Sequence, residues 1–167
     1  MADDKKKILD IDGYDIITGA LLDLLNEYPA LQKGQEITFA TLEDDSGTAM
    51  FPDAAAAVER ETSDILGDVM QECAYKMMIV YRASGLPEGR KIAVKEWLDN
   101  LGRWLEQQTV TVNGSRHKLS SYPPLTDGRT FKTVTRDSPA WLDSVNENKS
   151  ENWCISITAR YTNEFYR

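Results

Sequence analysis

Apolar residues recur along this chain at two different periods, and the switch between them marks out the elements. Between Arg90 and Gln108, Val94, Trp97, Leu98, Leu101, Trp104 and Leu105 follow at steps of three, one, three, three and one, a single stripe along a helix. The opposite face carries Lys95, Asp99 and Arg103, and the Asp99–Arg103 spacing predicts an exposed pair worth about 0.3 kcal/mol. Trp97 and Trp104 each offer roughly 200 Å² of apolar surface, so burial and not charge is expected to hold this helix. Pro87 and Glu88 favour its start, and Gly102, costing about 1 kcal/mol against alanine, marks either a close neighbour or a tolerated weakness. Ile17, Leu21, Leu24, Leu25 and Tyr28 repeat at the same period and stop at Pro29, which predicts another amphipathic helix from Tyr14 to Tyr28.

Elsewhere the period falls to two. Ile37 to Leu42 reads as a strand before the acidic turn Glu43-Asp44-Asp45, and Met50 to Pro52 as extended chain resuming. Asp53 to Glu61 is expected to be a loop with at most a helical turn over its four alanines. In Asp68 to Arg82, Cys73, Tyr75, Met77, Ile79 and Tyr81 share one face, which predicts a long central strand. Asn113-Gly114 between Thr109–Val112 and Ser115–Leu119 predicts a hairpin with a type I′ turn. Phe131, Thr133 and Thr135 suggest one further strand, and Trp153, Ile155, Ile157, Ala159 and Tyr161 a last one. The expected fold class is α+β, an antiparallel or mixed sheet with two main amphipathic helices packed on one face. Residues 1–12 are expected to form a flexible arm, and residues 13–167 a single domain with mobile loops near 43–64, 113–129 and 143–152.

Composition narrows the function classes. The net charge of −8 argues against a general binder of nucleic acid or anionic membranes. No apolar run approaches the roughly 20 residues of a membrane span, and the first twelve residues lack the apolar core of a signal, so the cytosol is the expected compartment. Cys73 and Cys154 stand far apart with no CxxC spacing and are expected to be buried thiols; no metal or other cofactor is expected.

The sharpest catalytic pattern is Ile8-Leu-Asp-Ile-Asp-Gly-Tyr, which resembles the opening motif of haloacid dehalogenase-type phosphatases. That resemblance implies Asp10 as nucleophile and Asp12 as general acid beside magnesium. No alternating strand and helix pattern of a doubly wound sheet follows, and no late acidic pair completes a metal site. The expected role of the segment is therefore structural, with Asp12 or Asp15 capping the first helix. His117 is expected to be an exposed hairpin residue, since no Ser, Cys or carboxylate is arranged with it. Trp97, Leu101 and Trp104 form a core or interface stripe.

Three stretches, Tyr81-Arg-Ala-Ser-Gly, Glu96 to Glu106 and Ile155 to Tyr161, together with the order of elements, resemble the tail terminator and tail-completion (minor capsid) proteins of long-tailed phages and prophages of Gram-positive bacteria. The resemblance implies a non-enzymatic subunit made in the bacterial host cytoplasm and residing in the virion. It also implies a ring, commonly a hexamer, at the tail end, with the tail tube protein and the head-connector protein as partners. DNA would pass through such a ring without adhering, and Glu43, Asp44 and Asp45 are the candidate lumen or subunit-facing loop.

Overall fold

The computed structural model describes residues 7–167. Its elements in chain order are α1 (Ile11–Leu25), β1 (Ile37–Phe39), β2 (Gly47–Pro52), β3 (Ala57–Ser63), β4 (Asp68–Ala83), α2 (Glu88–Leu105), β5 (Val110–Val112), β6 (Ser115–His117), β7 (Arg129–Arg136), β8 (Trp141–Val145) and β9 (Glu151–Tyr166). Seven of the strands make one mixed sheet in the order β1-β2-β4-β9-β7, with β3 beside β4 and β8 beside β9; β5 and β6 form a separate hairpin. The fold is α+β, as the two periods predict.

The sheet is organised on β4 and β9, which pair antiparallel without a break from Asp68↔Tyr166 to Ala83↔Glu151. This register places Cys73, Tyr75, Met77 and Ile79 beside Tyr161, Ala159, Ile157 and Ile155 on one face. Ile17, Leu21 and Leu25 of α1 and Leu98, Leu101 and Leu105 of α2 join them in one buried core. Both helices thus lie on the same face, because only there do the apolar positions of both central strands coincide. Among the described residues no helix lies on the other face, where Phe51, Met78 and Trp141 remain half-buried.

The chain just beyond α1 packs against α2. The Tyr28 ring packs against Trp97 at 5.2 Å and Trp104 at 5.6 Å between centroids. The Tyr28 hydroxyl donates to the Trp97 carbonyl, and the Trp97 indole N–H donates to the Ala30 carbonyl. Trp104 is only 4 % exposed and Leu101 fully buried, so these two positions of the stripe lie in the core of the chain itself. Gly102 is the close neighbour that its position suggests: a Cβ there would stand 2.2 Å from Arg136 Cδ and 3.1 Å from Ile155 Cδ1. Glycine lets α2 lie close against β7 and β9.

Several expectations change. Ile8 to Asp12 are joined to the domain and not part of an arm: the Ile8 carbonyl accepts the Val58 amide, Leu9 bridges to Ala57, Asp10 caps α1 in place of Asp12 or Asp15, and the helix begins at Ile11. Residues 1–6 of the expected arm lie outside the described residues. Within the interval 43–64, β2 takes in the extended Met50–Pro52 and β3 replaces the expected loop; no helical turn forms over the alanines, because Ala57 opens β3 and Ala56 just before it is buried. β1 stops at Phe39 and not at Leu42, since Ala40 takes a φ of 52°, and it runs parallel to β2. The interval 113–129 contains β6, and 143–152 contains the end of β8 and the start of β9. Asp99 is buried and pairs with Lys95 at 2.7 Å while accepting the Ala140 amide at 2.7 Å; Arg103 turns to Asn100 instead. Asp99 faces inward because the Ala140 amide, just before β8, needs an acceptor there. The Asn113-Gly114 turn has the positive φ angles expected of it, 49° and 79°.

Candidate functional site

Asp10, the catalytic candidate of the phosphatase-like motif, is a buried structural group. Its Oδ1 accepts from the Gly13 amide at 3.0 Å and from Arg129 Nη2 at 2.6 Å. Its Oδ2 accepts from Arg129 Nε at 3.0 Å and from the Tyr161 hydroxyl at 2.7 Å. The two charged side chains are 6 % and 7 % exposed, so the fork is shielded from solvent. Burial raises the Asp10 carboxyl, but hydrogen bonds from Arg129, Tyr161 and Gly13 outweigh it and hold it below its ordinary value. Burial also raises the Tyr161 hydroxyl, assisted by its bond to Asp10. Both oxygens are thereby committed to donors on α1, β7 and β9. Asp12 is exposed on the first turn of α1, at the rim of a hollow that Asp10 and Arg129 also line. Among the described residues, no three His, Cys, Asp or Glu side chains gather to hold a metal ion.

Burial pushes the Cys73 thiol up to about 11 and the Cys154 thiol to about 12, with the nearby Asp10 and Asp143 carboxylates adding to the respective shifts. Both are buried free thiols, as their spacing suggests. His117 is half-buried within β6. Among the described residues no helix is long and apolar enough to cross a membrane.

The acidic turn is fixed by its backbone. The Glu43 carbonyl accepts from Arg82 Nη1 at 3.0 Å, the Asp44 carbonyl from Asn148 Nδ2 at 2.8 Å, and the Asp45 carbonyl from Ser84 Oγ at 2.9 Å. Arg82 is itself held by Asn152 Oδ1 at 2.8 Å, and Asn152 joins Asn146 and Ser144 in a network at the β8–β9 turn. Residues on both sides of the sheet centre therefore hold the turn while Glu43, Asp44 and Asp45 stay exposed. Sequence reasoning chose the three acids but missed Arg82, Ser84 and Asn148, whose roles depend on contacts across 39 to 104 residues. The polar run around Asn148, rich in side chains that satisfy turn backbones, was the available signal.

Asn148→Ala removes the shorter of two side-chain bonds to the Asp44 carbonyl among the described residues, 2.8 Å against 3.4 Å from Ser150 Oγ. The expected result is faster hydrogen exchange across residues 44–47 with a stability loss near 1 kcal/mol, read by exchange mass spectrometry and denaturant titration.

No protein-family model matches this sequence, and a search of curated proteins finds no match either.

Proposed function

We propose that this chain is a structural, non-enzymatic component of a phage or prophage virion, a tail terminator or neck protein that assembles as a ring at the tail end and joins the tail tube to the head connector. The observation that carries this reading is the acidic turn: three adjacent carboxylates held outward on a backbone pinned at each of its three carbonyls. A rigid negative rim repels the phosphate backbone, which is what a channel conducting double-stranded DNA requires. The net charge of −8 acts in the same direction over the whole subunit. A magnesium-dependent phosphatase built on Asp10 and Asp12 gains no support from the geometry, because Arg129 and Tyr161 occupy the carboxylate that would attack.

Electron microscopy of the assembled tail end tests the reading, with rings containing this chain as the expected result. The triple change Glu43→Lys, Asp44→Lys, Asp45→Lys is expected to leave folding intact and to make assembled rings retain double-stranded DNA on a filter at low salt, where the parent does not. A ring whose acidic turn lies on the outer rim rejects the channel role.

A further inference from the structure

Asparagine side chains in this chain are held unequally. Of its seven asparagines, six use their carboxamides in hydrogen bonds: Asn26 with Ile37, Asn100 with Arg103, Asn146 with Asn152, Asn148 with Asp44 and Asn163 with Gln71. The seventh, Asn113, is exposed at the β5–β6 turn, and among the described residues its carboxamide meets no partner. The amides that follow the asparagines divide in the same way. Glu27 donates its N–H to Leu24, Lys149 to Asn146 and Glu164 to Gly128, while Leu101 and Trp153 lie inside α2 and β9. Gly114 lies beyond Val112↔Ser115, the last pair of the hairpin, and its amide donates to no backbone carbonyl among the described residues. A Cβ placed on Gly114 would find nothing within 4 Å, so the space around it is open.

An unengaged carboxamide followed by an unengaged glycine nitrogen brings an electrophile and a nucleophile together on adjacent residues. A type I′ turn sets ψ at about 30° on its first central residue, and that bond must rotate before Cγ can reach the next nitrogen. The hairpin makes the rotation cheap. β5 and β6 are 3 residues each and pair only with one another, and a two-stranded hairpin standing alone is marginally stable in water. Val110 anchors its base at 3 % exposure, whereas Asn113, Gly114, Ser115 and Arg116 are all exposed. The tip can therefore open without disturbing the core.

We propose that Asn113 is a self-modifying site, which loses its amide nitrogen when Gly114 attacks the Asn113 side chain. The Gly114 nitrogen gives up its proton and bonds to Asn113 Cγ; the Cγ–Nδ2 bond breaks and ammonia leaves, closing a succinimide ring. Water then opens the ring. Opening at Cγ leaves aspartate, and opening at the main-chain carbonyl leaves isoaspartate, in which the backbone runs through the side chain. Water is the only reagent consumed. Either product puts a new carboxylate close to exposed Arg116 and Lys118. Isoaspartate also lengthens the backbone by a methylene, which a two-residue turn does not accommodate. The hairpin tip thus records the age of the subunit, whereas the core at Val110 stays as it was. The site is independent of whether the chain forms a ring.

The test incubates the full-length chain, folded in buffer and in parallel unfolded in urea, at neutral and at mildly alkaline pH. Proteolytic peptides are then mapped by mass and by chromatography against synthetic aspartate and isoaspartate standards. In the folded chain Asn113 is expected to convert at least about tenfold faster than any other asparagine, and faster again at the higher pH, because Gly114 must lose a proton. Isoaspartate should be among its products. An Asn113→Gln chain, whose longer side chain does not close this ring, should form no isoaspartate at the hairpin. Conversion confined to the unfolded chain overturns the proposal, because the folded turn then protects the site. A folded rate no greater than that of the other asparagines, or one indifferent to pH, overturns it too, as does isoaspartate forming in Asn113→Gln at the parental rate.

Discussion

Arg129→Met is expected to lower the free energy of unfolding by about 3–5 kcal/mol, because it leaves Asp10 buried with its charge unpaired. Asp10 loses two of its four hydrogen bonds at once, both from the guanidinium. Methionine fills much of the vacated space, so the loss reports the stranded carboxylate more than a cavity. Chemical denaturation at pH 7 reads it directly. The double change Asp10→Asn, Arg129→Met should recover much of the loss, since an amide still caps α1 and no ion is left behind. Losses that simply add would mean the two residues do not act as a pair.

The same pair sets a pH dependence whose sign follows from the carboxyl. Asp10 sits lower in the folded protein than its ordinary value of 3.8, so the unfolded chain binds the proton more readily. The stability it contributes is complete above that value and is lost as pH falls through the lower, folded one. Melting curves of parent and Asp10→Asn should therefore converge as pH drops below 3.8 and separate again at neutral pH.

Trp104→Ala is expected to cost about 3–5 kcal/mol, measured by urea or guanidinium titration. Its ring contacts Tyr28 within a core where α1 and α2 meet, and 4 % exposure leaves no route by which water could fill the gap cheaply. A Trp104→Ala chain that keeps parental stability but no longer assembles would place the stripe at an interface and contradict the packing described above. Trp97, half-buried and hydrogen-bonded to Ala30, serves as the control whose loss should be smaller.

How much of this was legible in the sequence depends on how local the cause is. α1, α2 and the long strands β4 and β9 announce themselves because their buried faces repeat within the element. The Asn113-Gly114 turn is legible because two residues suffice to define it. β3 is not: Ala57–Ser63 carries Glu59, Arg60 and Glu61 in its middle, since a flank strand packs little of its surface and loses the alternation that betrays a strand. β8 escaped for the same reason, with one half-buried tryptophan at its head. The Asp10–Arg129 pair joins residues 119 apart, and no spacing rule marks such a distance. Asp10 drew notice through a motif, for chemistry the fold has put to structural use. The acidic turn was visible as composition, but its rigidity comes from Arg82, Ser84 and Asn148 and so needed the fold.

The unbroken pairing of β4 with β9 has a consequence for how the chain is made. Residues that face each other at the sheet centre, such as Met77 and Ile157, are separated by most of the distance from the first strand to the last. The helices and the β3–β4 hairpin can form as they leave the ribosome, but half of the core floor arrives only with Glu151–Tyr166. Until then the apolar face of β4 waits without its partner, exposed to other nascent chains. Folding of this topology is expected to be slow, because the sheet cannot close until Glu151–Tyr166 has emerged to pair with β4.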